Sequence, residues 1–428
     1  MIRLLKKILG NRGMSVIRKS PRLLGLARKL MAASLPLHEY DKLIGVITSG
    51  GDMSCNKVKL LAESVERALL NPSVDKVGIH RKIGEAIFTR SAKLYSVHGL
   101  PEHLVRYTYP PVISIALNSQ CNAACFFCRE DDYKGDSIDF DNVVKLESAI
   151  RNARTIDLTG WGEPFLYPRL SEIVNYICSI NNTKQLIQFT SNGSLLSEKW
   201  GRMLSGKLSS FIISLNAATP ITYFEQMRYK SKHVSFEGTL ANIRAFQAQL
   251  TNEDQKRIIL HMVANVGNFH EMTDMVKLAS EMRIPVVNVG HYICAQKEHK
   301  DKTLWNVKSE YNAELERAKE LGLKLGVTVN GRQFFHEEND IKGAEHCMAP
   351  FEQFFIEMPG TAAPCCFMGH ERMGNVYLDG FEAVWFSELM NKLRTKRFLP
   401  PCQVCTVFTS FDKETAHISA TLLTARSQ

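Results

Sequence analysis

Short runs of β-branched and aromatic residues alternate with longer amphipathic segments from about residue 110 of the chain onward. Six of these runs have the length and composition of β-strands, and the segments between them repeat apolar residues at helical spacing. Such alternation is typical of βα units, which build a parallel sheet covered by helices. The predicted strands are residues 112–118, 155–160, 185–192, 210–217, 258–265 and 285–292, and the main predicted helices are residues 140–153, 168–180, 236–250, 269–282 and 309–323.

Six βα units are too few to close an eight-stranded barrel. We therefore predict an α/β fold, namely an open, partial (β/α)6 TIM-like barrel over residues 111–325, with its chemistry on the loops that follow the carboxyl ends of the strands. The flanking segments are interpreted as a basic amphipathic helical arm (1–38), an N-terminal extension (39–110), a small cysteine-rich α+β domain (340–410) and a tail (411–428).

The net charge of +9 is concentrated in the N-terminal arm. Residues 1–38 hold nine Lys and Arg and no Asp or Glu, so the remaining 44 basic residues balance the 44 acidic ones. A neutral body gives no electrostatic footprint for nucleic acid. Because the arm interleaves apolar and basic residues, it suits contact with an anionic membrane or a partner, a solvated basic face packed on the next domain, or a transit peptide.

Eleven cysteines in 428 residues are too sparse for a disulfide framework, which favours a reducing, cytoplasmic protein, peripheral to the membrane if the arm binds one. Three of them, Cys121, Cys125 and Cys128, crowd into the segment directly after the first predicted strand. A structural zinc site would recruit four ligands, and no fourth Cys or His is near in sequence. Three thiolates on a four-iron cluster leave one iron open, which is what an incoming cofactor or substrate needs.

The spacing CxxxCxΦC, with the aromatic Phe127 at Φ, resembles the motif of the radical S-adenosylmethionine (SAM) superfamily. The resemblance implies that the three cysteines hold a [4Fe–4S] cluster whose open iron is chelated by SAM, with Phe127 near the adenine. The segment LTGWGEP after the second strand is similar to the family's GGEP motif, in which backbone groups and the glutamate meet the methionine ammonium. The matching residues are Gly160, Trp161, Gly162, Glu163 and Pro164, with Trp161 in place of a small residue.

Further polar residues at strand ends resemble family segments that touch the methionine carboxylate and the ribose. These are Ser191 and Asn192 after the third strand, Ser214 and Asn216 after the fourth, and Asn265 after the fifth. Arg228 matches an arginine often seen in the family. The alternative is ordinary turn chemistry, because Ser and Asn cap strands and helices in many proteins.

The C-terminal cysteines resemble a SPASM or twitch-type extension, which implies one auxiliary [4Fe–4S] cluster on Cys347, Cys365 or Cys366, Cys402 and Cys405. A tetrahedral zinc site on the same four cysteines is the alternative. Of the other cysteines, Cys178 is expected to pack on a helix and Cys55 to lie in a polar loop. Cys294, after the sixth strand, is either a hydrogen-atom donor to a substrate radical or an incidental thiol.

The resemblance implies an enzyme that reductively cleaves SAM to a 5'-deoxyadenosyl radical, takes electrons from a donor such as flavodoxin or ferredoxin, and abstracts a hydrogen atom from its substrate. We expect the substrate to be a peptide or protein, with residues 39–110 as a docking region. The alternatives are dehydrogenation or epimerisation of a sugar or aminocyclitol, and a non-catalytic, metal-stabilised binding scaffold. Since the first half-reaction requires no acid–base group, no residue is assigned as a catalytic acid or base.

Overall fold

The structure is a computed structural model. It describes residues 39–71, 74–90, 100–128, 135–184, 186–292, 297–333, 349–364 and 373–396. The described residues fall into two compact units that divide after Pro111. The predicted basic arm and the tail lie outside the described residues.

The first unit is helical. Its helices are residues 39–48, Asn56–Leu69, Lys76–Arg90 and Glu102–Val105, followed by a 3-10 turn at Arg106–Thr108. Apolar side chains from each of these helices share one core, because each helix repeats them at helical spacing on one face. The Gly-rich turn of this unit is held by Arg90, whose guanidinium donates to the carbonyls of Gly50 (3.2 Å) and Gly51 (2.6 Å).

In the described part of the second unit, nine strands form one sheet with the order β7-β6-β5-β4-β3-β2-β1-β8-β9. All neighbouring strands are parallel except β8 and β9, which form an antiparallel hairpin. The strands are β1 Val112–Ile115, β2 Thr155–Asp157, β3 Ile187–Ser191, β4 Leu208–Ser214, β5 Ile258–Ala264, β6 Val286–His291, β7 Thr328–Gly331, β8 Gln353–Glu357 and β9 Thr361–Ala363.

Helices follow most of the strands, as βα units require. Their bounds are Phe140–Val144, Glu147–Asn152, Leu170–Ile180, Glu198–Leu204, Pro220–Met227, Phe236–Gln247, Asn252–Gln255, Met272–Glu281, Lys308–Leu325, Ala349–Glu352, Phe381–Trp385 and Glu388–Lys396, with 3-10 turns at Pro164–Leu166, Phe269–Glu271, Lys297–Lys302 and Leu304–Val307. Among the described residues, no helix is both long enough and apolar enough to pass through a bilayer.

The predicted partial TIM-like barrel is confirmed, with all six predicted strands in parallel order. Three strands were not predicted. β7 is short and half-exposed, so it lacks the apolar run of a core strand. The hairpin of β8 and β9 comes from the cysteine-rich segment and pairs with β1 instead of forming a sheet of its own.

The two faces of the sheet differ in polarity. The face toward the helices is an apolar core, where Phe189 and Phe211 meet Phe165 and Phe246 with ring centroids 4.7 to 6.0 Å apart. The opposite face carries hydrogen-bonded polar side chains. Ser114 Oγ donates to Asp157 Oδ2 (3.2 Å), Ser210 Oγ donates to Gln188 Oε1 (2.7 Å), and Asn330 Nδ2 donates to Asn288 Oδ1 (2.9 Å).

Candidate cofactor-binding site

The loop that carries the three cysteines, here called the cysteine loop, follows the carboxyl end of β1 and is held by hydrogen bonds on two sides. On one side the Glu163 N–H, after β2, donates to the Gln120 carbonyl (2.8 Å). On the other side the Ala124 N–H donates to the carbonyl of Met227, which ends the helix after β4 (3.2 Å). The loop that carries Cys121, Cys125 and Cys128 is thus positioned by hydrogen bonds between residues 43 and 103 positions apart along the chain.

The thiol sulfurs sit in a partly buried, hydrogen-bonded environment. The Cys121 sulfur faces two N–H donors, the Ala123 backbone at 3.5 Å and Asn192 Nδ2 at 4.0 Å. The Cys125 sulfur lies 3.5 Å from the Met227 carbonyl oxygen and 3.8 Å from its Sδ. Burial raises the pKa of Cys121 and of Cys125, and the neighbouring thiols add to the effect, so the three groups are electrostatically coupled.

Gly160 and Gly162 allow the segment after β2 to pack closely against the residues that follow β1. A Cβ on Gly162 would lie 2.0 Å from Asn118 Oδ1 and 2.5 Å from the Gln120 carbonyl oxygen. A Cβ on Gly160 would lie 2.9 Å from the Ala116 Cβ. Since non-bonded heavy atoms pack at about 3.5 Å, both positions require the missing side chain of glycine.

Glu163 is the buried carboxylate of the site, with 2% of its surface exposed. It accepts hydrogen bonds from Ser191 Oγ (2.8 Å), from the Asn192 N–H (2.9 Å) and from the Phe165 N–H (3.3 Å). Burial raises its pKa to about 7, although the three hydrogen bonds oppose the rise. Keeping this buried carboxylate ionised costs free energy, and a cationic group beside it would lower that cost.

Asn192 joins this carboxylate to the cysteine loop. Its backbone binds Glu163, and its side-chain amide donates to Asn122 Oδ1 (2.8 Å) within the loop. Asn122 in turn donates to Ser194 Oγ (2.8 Å). The residues after β3 and the residues around Cys121 therefore form one polar network.

The residues after β4 and β5 form a second buried network. Asn216 has no exposed surface and a left-handed backbone (φ +62°), and its amide donates to Ser214 Oγ (2.9 Å) and to Met227 Sδ (3.3 Å). Its Oδ1 accepts the Val263 N–H (2.8 Å), which ties β4 to β5. Asn265 donates to Gln226 Oε1 (2.8 Å). These amides already have protein partners, so the alternative of ordinary turn chemistry remains open for them.

Phe127, which lies within the cysteine loop, belongs to a small aromatic cluster. Phe126 lies edge-on to Phe127 (centroids 5.4 Å apart) and to Tyr292 at the end of β6 (5.6 Å). Arg228 has a left-handed backbone (φ +47°), and its guanidinium lies 5.4 Å from the centre of the Phe126 ring. Arg228 is exposed, as expected for a surface arginine, but it also covers the loop.

Trp161 points away from the cysteines. Its indole N–H donates to Glu357 Oε1 at the end of β8 (3.4 Å). Pro164 begins the 3-10 turn that follows Glu163. The sequence correctly placed both residues after the second strand, but it gave no sign that Trp161 would contact the hairpin.

Several predicted residues lie outside the described residues, namely Cys294, Cys347, Cys365, Cys366, Cys402 and Cys405. The other two cysteines are placed. Cys178 is half-buried on the helix Leu170–Ile180, as expected for packing. Cys55 precedes the helix Asn56–Leu69 and packs partly against the core of the first unit.

Sequence reasoning missed residues that position the site. Asn118 donates to the Glu163 carbonyl (3.1 Å) and so connects the ends of β1 and β2. Glu271 accepts from the Ala218 and Thr219 N–H groups (2.6 and 3.2 Å) at the start of the helix that ends at Met227. A polar residue directly after a predicted buried strand is a usable signal for Asn118, whereas Glu271 has no local signal because its partners are some 50 positions away.

The donor set consists of three thiols, which fits an iron–sulfur cluster that keeps one iron open. Within the described ranges, no group of three or more His, Cys, Asp or Glu side chains could hold one metal ion. A cubane cluster binds each thiolate to a different iron and therefore needs sulfurs that are spread apart. The N–H groups that face the Cys121 sulfur are the kind of donor that stabilises a cluster-bound thiolate.

Fold and site together define an α/β barrel protein of the iron–sulfur type. Two family models identify it further, because the radical SAM superfamily model matches residues 115–279 and the SPASM iron–sulfur cluster-binding domain model matches residues 347–406. The chain thus contains a radical SAM domain followed by a C-terminal SPASM domain. The radical SAM domain implies a [4Fe–4S] cluster and SAM, and the SPASM domain supports auxiliary iron–sulfur binding.

The chain spans about a third to a half of the length of the curated relatives it matches. A probable GTP 3',8-cyclase of Sulfolobus acidocaldarius is 33% identical over 117 residues, which cover 26% of this chain and 36% of that protein. Among solved structures, SuiB of Streptococcus suis bound to its precursor peptide SuiA has a TM-score of 0.53 at 16% identity, with 78% of this chain and 82% of that chain covered. The protein anSMEcpe with bound AdoMet and the Cp18Cys peptide also has a TM-score of 0.53 at 16% identity, with coverages of 74% and 96%. At these identities the structural likeness concerns the fold alone.

Proposed function

We propose that this chain is a radical SAM enzyme that modifies a peptide or protein by abstracting a hydrogen atom. The observation that carries the proposal is the single network that joins the Cys121 loop, Asn192 and the buried carboxylate of Glu163. This network brings three thiols and an anionic group to the same mouth of a parallel barrel, where such folds bind their ligands.

In this proposal Cys121, Cys125 and Cys128 hold the [4Fe–4S] cluster. When bound, the cluster and SAM supply the electron transfer and the 5'-deoxyadenosyl radical that abstracts the substrate hydrogen. The chain supplies orientation. Glu163 receives the ammonium group of the cofactor, and Gly160 and Gly162 allow its close approach.

The other strand-end residues complete the pocket. Phe127 and Pro164 form its walls, whereas Trp161 turns toward Glu357. Hydroxyls and amides for the carboxylate and ribose of the cofactor come from Ser191, Asn192, Ser214, Asn216 and Asn265. The aromatic cluster around Phe126 excludes water from one side. The C-terminal cysteines would hold an auxiliary cluster, and a flavodoxin or ferredoxin would supply electrons. Four further expectations stay predictions. They are a cytoplasmic location, docking by residues 39–110, contact of the N-terminal arm with a membrane or partner, and hydrogen-atom donation by Cys294.

Two features support a peptide as substrate. The SPASM domain follows the radical SAM domain, and the peptide-bound neighbours share this fold over about three quarters of the chain. The names of the curated relatives favour a second candidate, cyclisation of GTP. Dehydrogenation or epimerisation of a sugar or aminocyclitol remains the small-molecule alternative.

The first test is the iron and sulfide content of anaerobically reconstituted protein, with electron paramagnetic resonance spectra before and after SAM. About eight irons are expected in the wild type and about four in the triple variant Cys121→Ala, Cys125→Ala, Cys128→Ala, with a SAM-dependent spectral change in the wild type alone. Cys178→Ala is the matched control and should keep all of its iron. Equal iron in the wild type and the triple variant would refute the assignment of these ligands.

The second test separates binding from chemistry. Glu163→Gln keeps the shape of the side chain and removes its charge, so it should raise KM for SAM in a dithionite-driven cleavage assay while iron content stays at the wild-type value. Production of a cyclised nucleotide from GTP by the wild-type protein would refute the peptide proposal. Failure of the reconstituted wild type to cleave SAM would favour the non-catalytic scaffold.

A further inference from the structure

Three hydroxyl groups form a hydrogen-bonded row that ends at Asn192. Thr239 Oγ1 lies 2.8 Å from the Tyr223 hydroxyl, and the Tyr223 hydroxyl donates to the Tyr229 hydroxyl (2.8 Å). Because the single hydrogen of the Tyr223 hydroxyl is used toward Tyr229, Thr239 is the donor to Tyr223. The Tyr229 hydroxyl then donates to the Asn192 carbonyl (3.4 Å), which is the longest contact of the row.

The row continues through the backbone to the buried carboxylate of the site. The Asn192 carbonyl and the Gly193 N–H belong to one planar peptide group, so a contact that orients the carbonyl also orients the N–H. The Gly193 N–H donates to Ser191 Oγ (3.1 Å), and Ser191 Oγ donates to Glu163 Oε1 (2.8 Å). Every donor from Thr239 onward therefore points toward Glu163. Hydrogen bonds that follow one another in this way polarise and strengthen each other.

The residue at the end of the hydroxyl row also contacts the cysteine loop. The backbone N–H of Asn192 donates to Glu163 Oε2 (2.9 Å). Its side-chain nitrogen donates to Asn122 Oδ1 (2.8 Å) and lies 4.0 Å from the Cys121 sulfur. A change in the orientation of this one residue would therefore alter the surroundings of the carboxylate and of the thiol together.

The two helices that follow β4 hold the row in place. Tyr223 lies on the helix Pro220–Met227 and Thr239 on the helix Phe236–Gln247, and their side chains are almost fully buried. The rings of Tyr223 and Tyr229 pack with centroids 5.5 Å apart. Burial raises the pKa of Tyr223 to about 12 and also raises the pKa of Tyr229, so both hydroxyls keep their hydrogens at neutral pH.

The turn that contains Asn192 does not depend on the tyrosines for its attachment to these helices. Asn242 Nδ2 donates to the carbonyl of Ser194, two residues further along the turn (2.7 Å). The Tyr229 hydroxyl adds one directed contact, to the Asn192 carbonyl. Its effect therefore falls on the orientation of this peptide group more than on the fold of the turn.

We infer that Tyr223 and Tyr229 are positioning residues for the cofactor, because they orient the Asn192 peptide group and, through Ser191, the carboxylate of Glu163. The inference rests on the proposed function and deepens it. Neither tyrosine is assigned a contact with SAM. Their role is to fix the direction in which the carboxylate meets the ammonium group of the cofactor.

The first arm of the test is hydrogen–deuterium exchange of the full chain without added iron, sulfide or SAM. In Tyr229→Phe the amide hydrogens of residues 192 and 193 should exchange about 5-fold faster than in the wild type, the effect of losing one hydrogen bond. Tyr311→Phe is the matched control, because it also removes a buried hydroxyl that donates to a backbone carbonyl, that of Arg332 (3.0 Å). The control should leave exchange at residues 192 and 193 unchanged.

The second arm measures the affinity for SAM in anaerobically reconstituted protein, from the SAM concentration that gives half of the change in the electron paramagnetic resonance spectrum. Tyr229→Phe should need about 5-fold more SAM than the wild type, and Tyr223→Phe should need about 2-fold more because it acts through Tyr229. Iron content should stay at the wild-type value in both variants. In the SAM cleavage assay, KM for SAM should rise while kcat stays close to that of the wild type. Tyr311→Phe should match the wild type in all of these measurements.

Unchanged exchange at residues 192 and 193 in Tyr229→Phe would overturn the inference. A SAM requirement in Tyr229→Phe no larger than that of Tyr311→Phe would overturn it as well. A wild type that responds to SAM in the same way as every variant would refute the inference alone. A reconstituted wild type without any SAM-dependent spectrum would refute the proposed function and the inference with it.

Discussion

Gly162→Ala is the substitution that most directly tests how the site is assembled. The added methyl group would meet three atoms of the segment after β1, namely Asn118 Oδ1 at 2.0 Å, the Gln120 carbonyl oxygen at 2.5 Å and the Asn118 carbonyl oxygen at 2.8 Å. Two of these atoms belong to the backbone, so rotation of a side chain cannot relieve the contact. The segment that leads into Cys121 has to move.

The size of the effect follows from these distances. Non-bonded heavy atoms pack at about 3.5 Å, so the segment must retreat by roughly 1 Å. That movement strains or breaks two hydrogen bonds to Glu163, from its N–H to the Gln120 carbonyl (2.8 Å) and from Asn118 Nδ2 to its carbonyl (3.1 Å). At about 1 kcal/mol for each of the two bonds, with about 1 to 3 kcal/mol more for overpacking, the free energy of unfolding should fall by about 3 to 5 kcal/mol.

The effect on chemistry should exceed the effect on stability. A misplacement of about 1 Å at a reacting centre can cost about 100-fold in rate. We therefore expect Gly162→Ala to form 5'-deoxyadenosine about 100-fold more slowly than the wild type, measured chromatographically at saturating dithionite. Denaturant titration of the same samples gives the change in stability.

Gly45→Ala is the matched control. Gly45 lies in the helix of residues 39–48, and a Cβ there would have no neighbour within 4 Å. This variant should gain about 1 kcal/mol of stability from helix propensity and keep the wild-type rate. The reasoning is refuted if Gly162→Ala matches the wild type in both stability and cleavage.

Three further substitutions test separate parts of the fold. Burial raises the pKa of the Asp157 carboxyl to about 6. The protonated carboxyl therefore contributes fully to the free energy of unfolding below about pH 4, and this contribution of about 3 kcal/mol is lost as the pH rises through 6. Asp157→Asn should remove this loss, and parallel pH profiles of stability for variant and wild type would contradict the assignment. Glu271→Gln should lower the free energy of unfolding by about 2 kcal/mol, because its carboxylate accepts the Ala218 and Thr219 N–H groups, and a wild-type denaturation midpoint would argue against that role. Asn192→Ala removes an N–H that faces the Cys121 sulfur, so the cluster potential should become more negative in redox-poised spectra, and an unchanged potential would show that the contact is irrelevant.

The core of the fold was predictable because its strands are periodic and its helices are amphipathic. Predicted strand 258–265 corresponds to Ile258–Ala264, and predicted helix 309–323 corresponds to Lys308–Leu325. The exception is predicted helix 140–153, which is two helices, Phe140–Val144 and Glu147–Asn152, with a break that no Gly or Pro announces. Local propensity does not report such a break, because tertiary packing decides it.

The candidate site was predictable where a motif is contiguous and was not predictable where partners are distant. Three cysteines within eight positions and GWGEP are local patterns. The contact of Trp161 with Glu357 joins residues 196 positions apart, and it depends on a hairpin that lies beside β1. No local pattern encodes that register, so this contact became visible only in three dimensions.

The polar side chains on the inner face of the sheet are visible in the sequence, but they belong to no motif, and no prediction was based on them. Parallel strands covered on both sides by protein are apolar at nearly every position, so polar residues at alternate positions indicate a face that is not filled by apolar packing. On β5 the pattern is limited to one residue, because Ile258, Leu260, Met262 and Ala264 are buried while His261 lies on the other face between Ile259 and Val263. Burial lowers the pKa of His261 to about 4, which keeps the ring neutral at physiological pH. Asp157, Gln188, Ser210 and Asn288 continue the same face across the neighbouring strands, so the barrel presents polar groups along its interior below the cysteine loop.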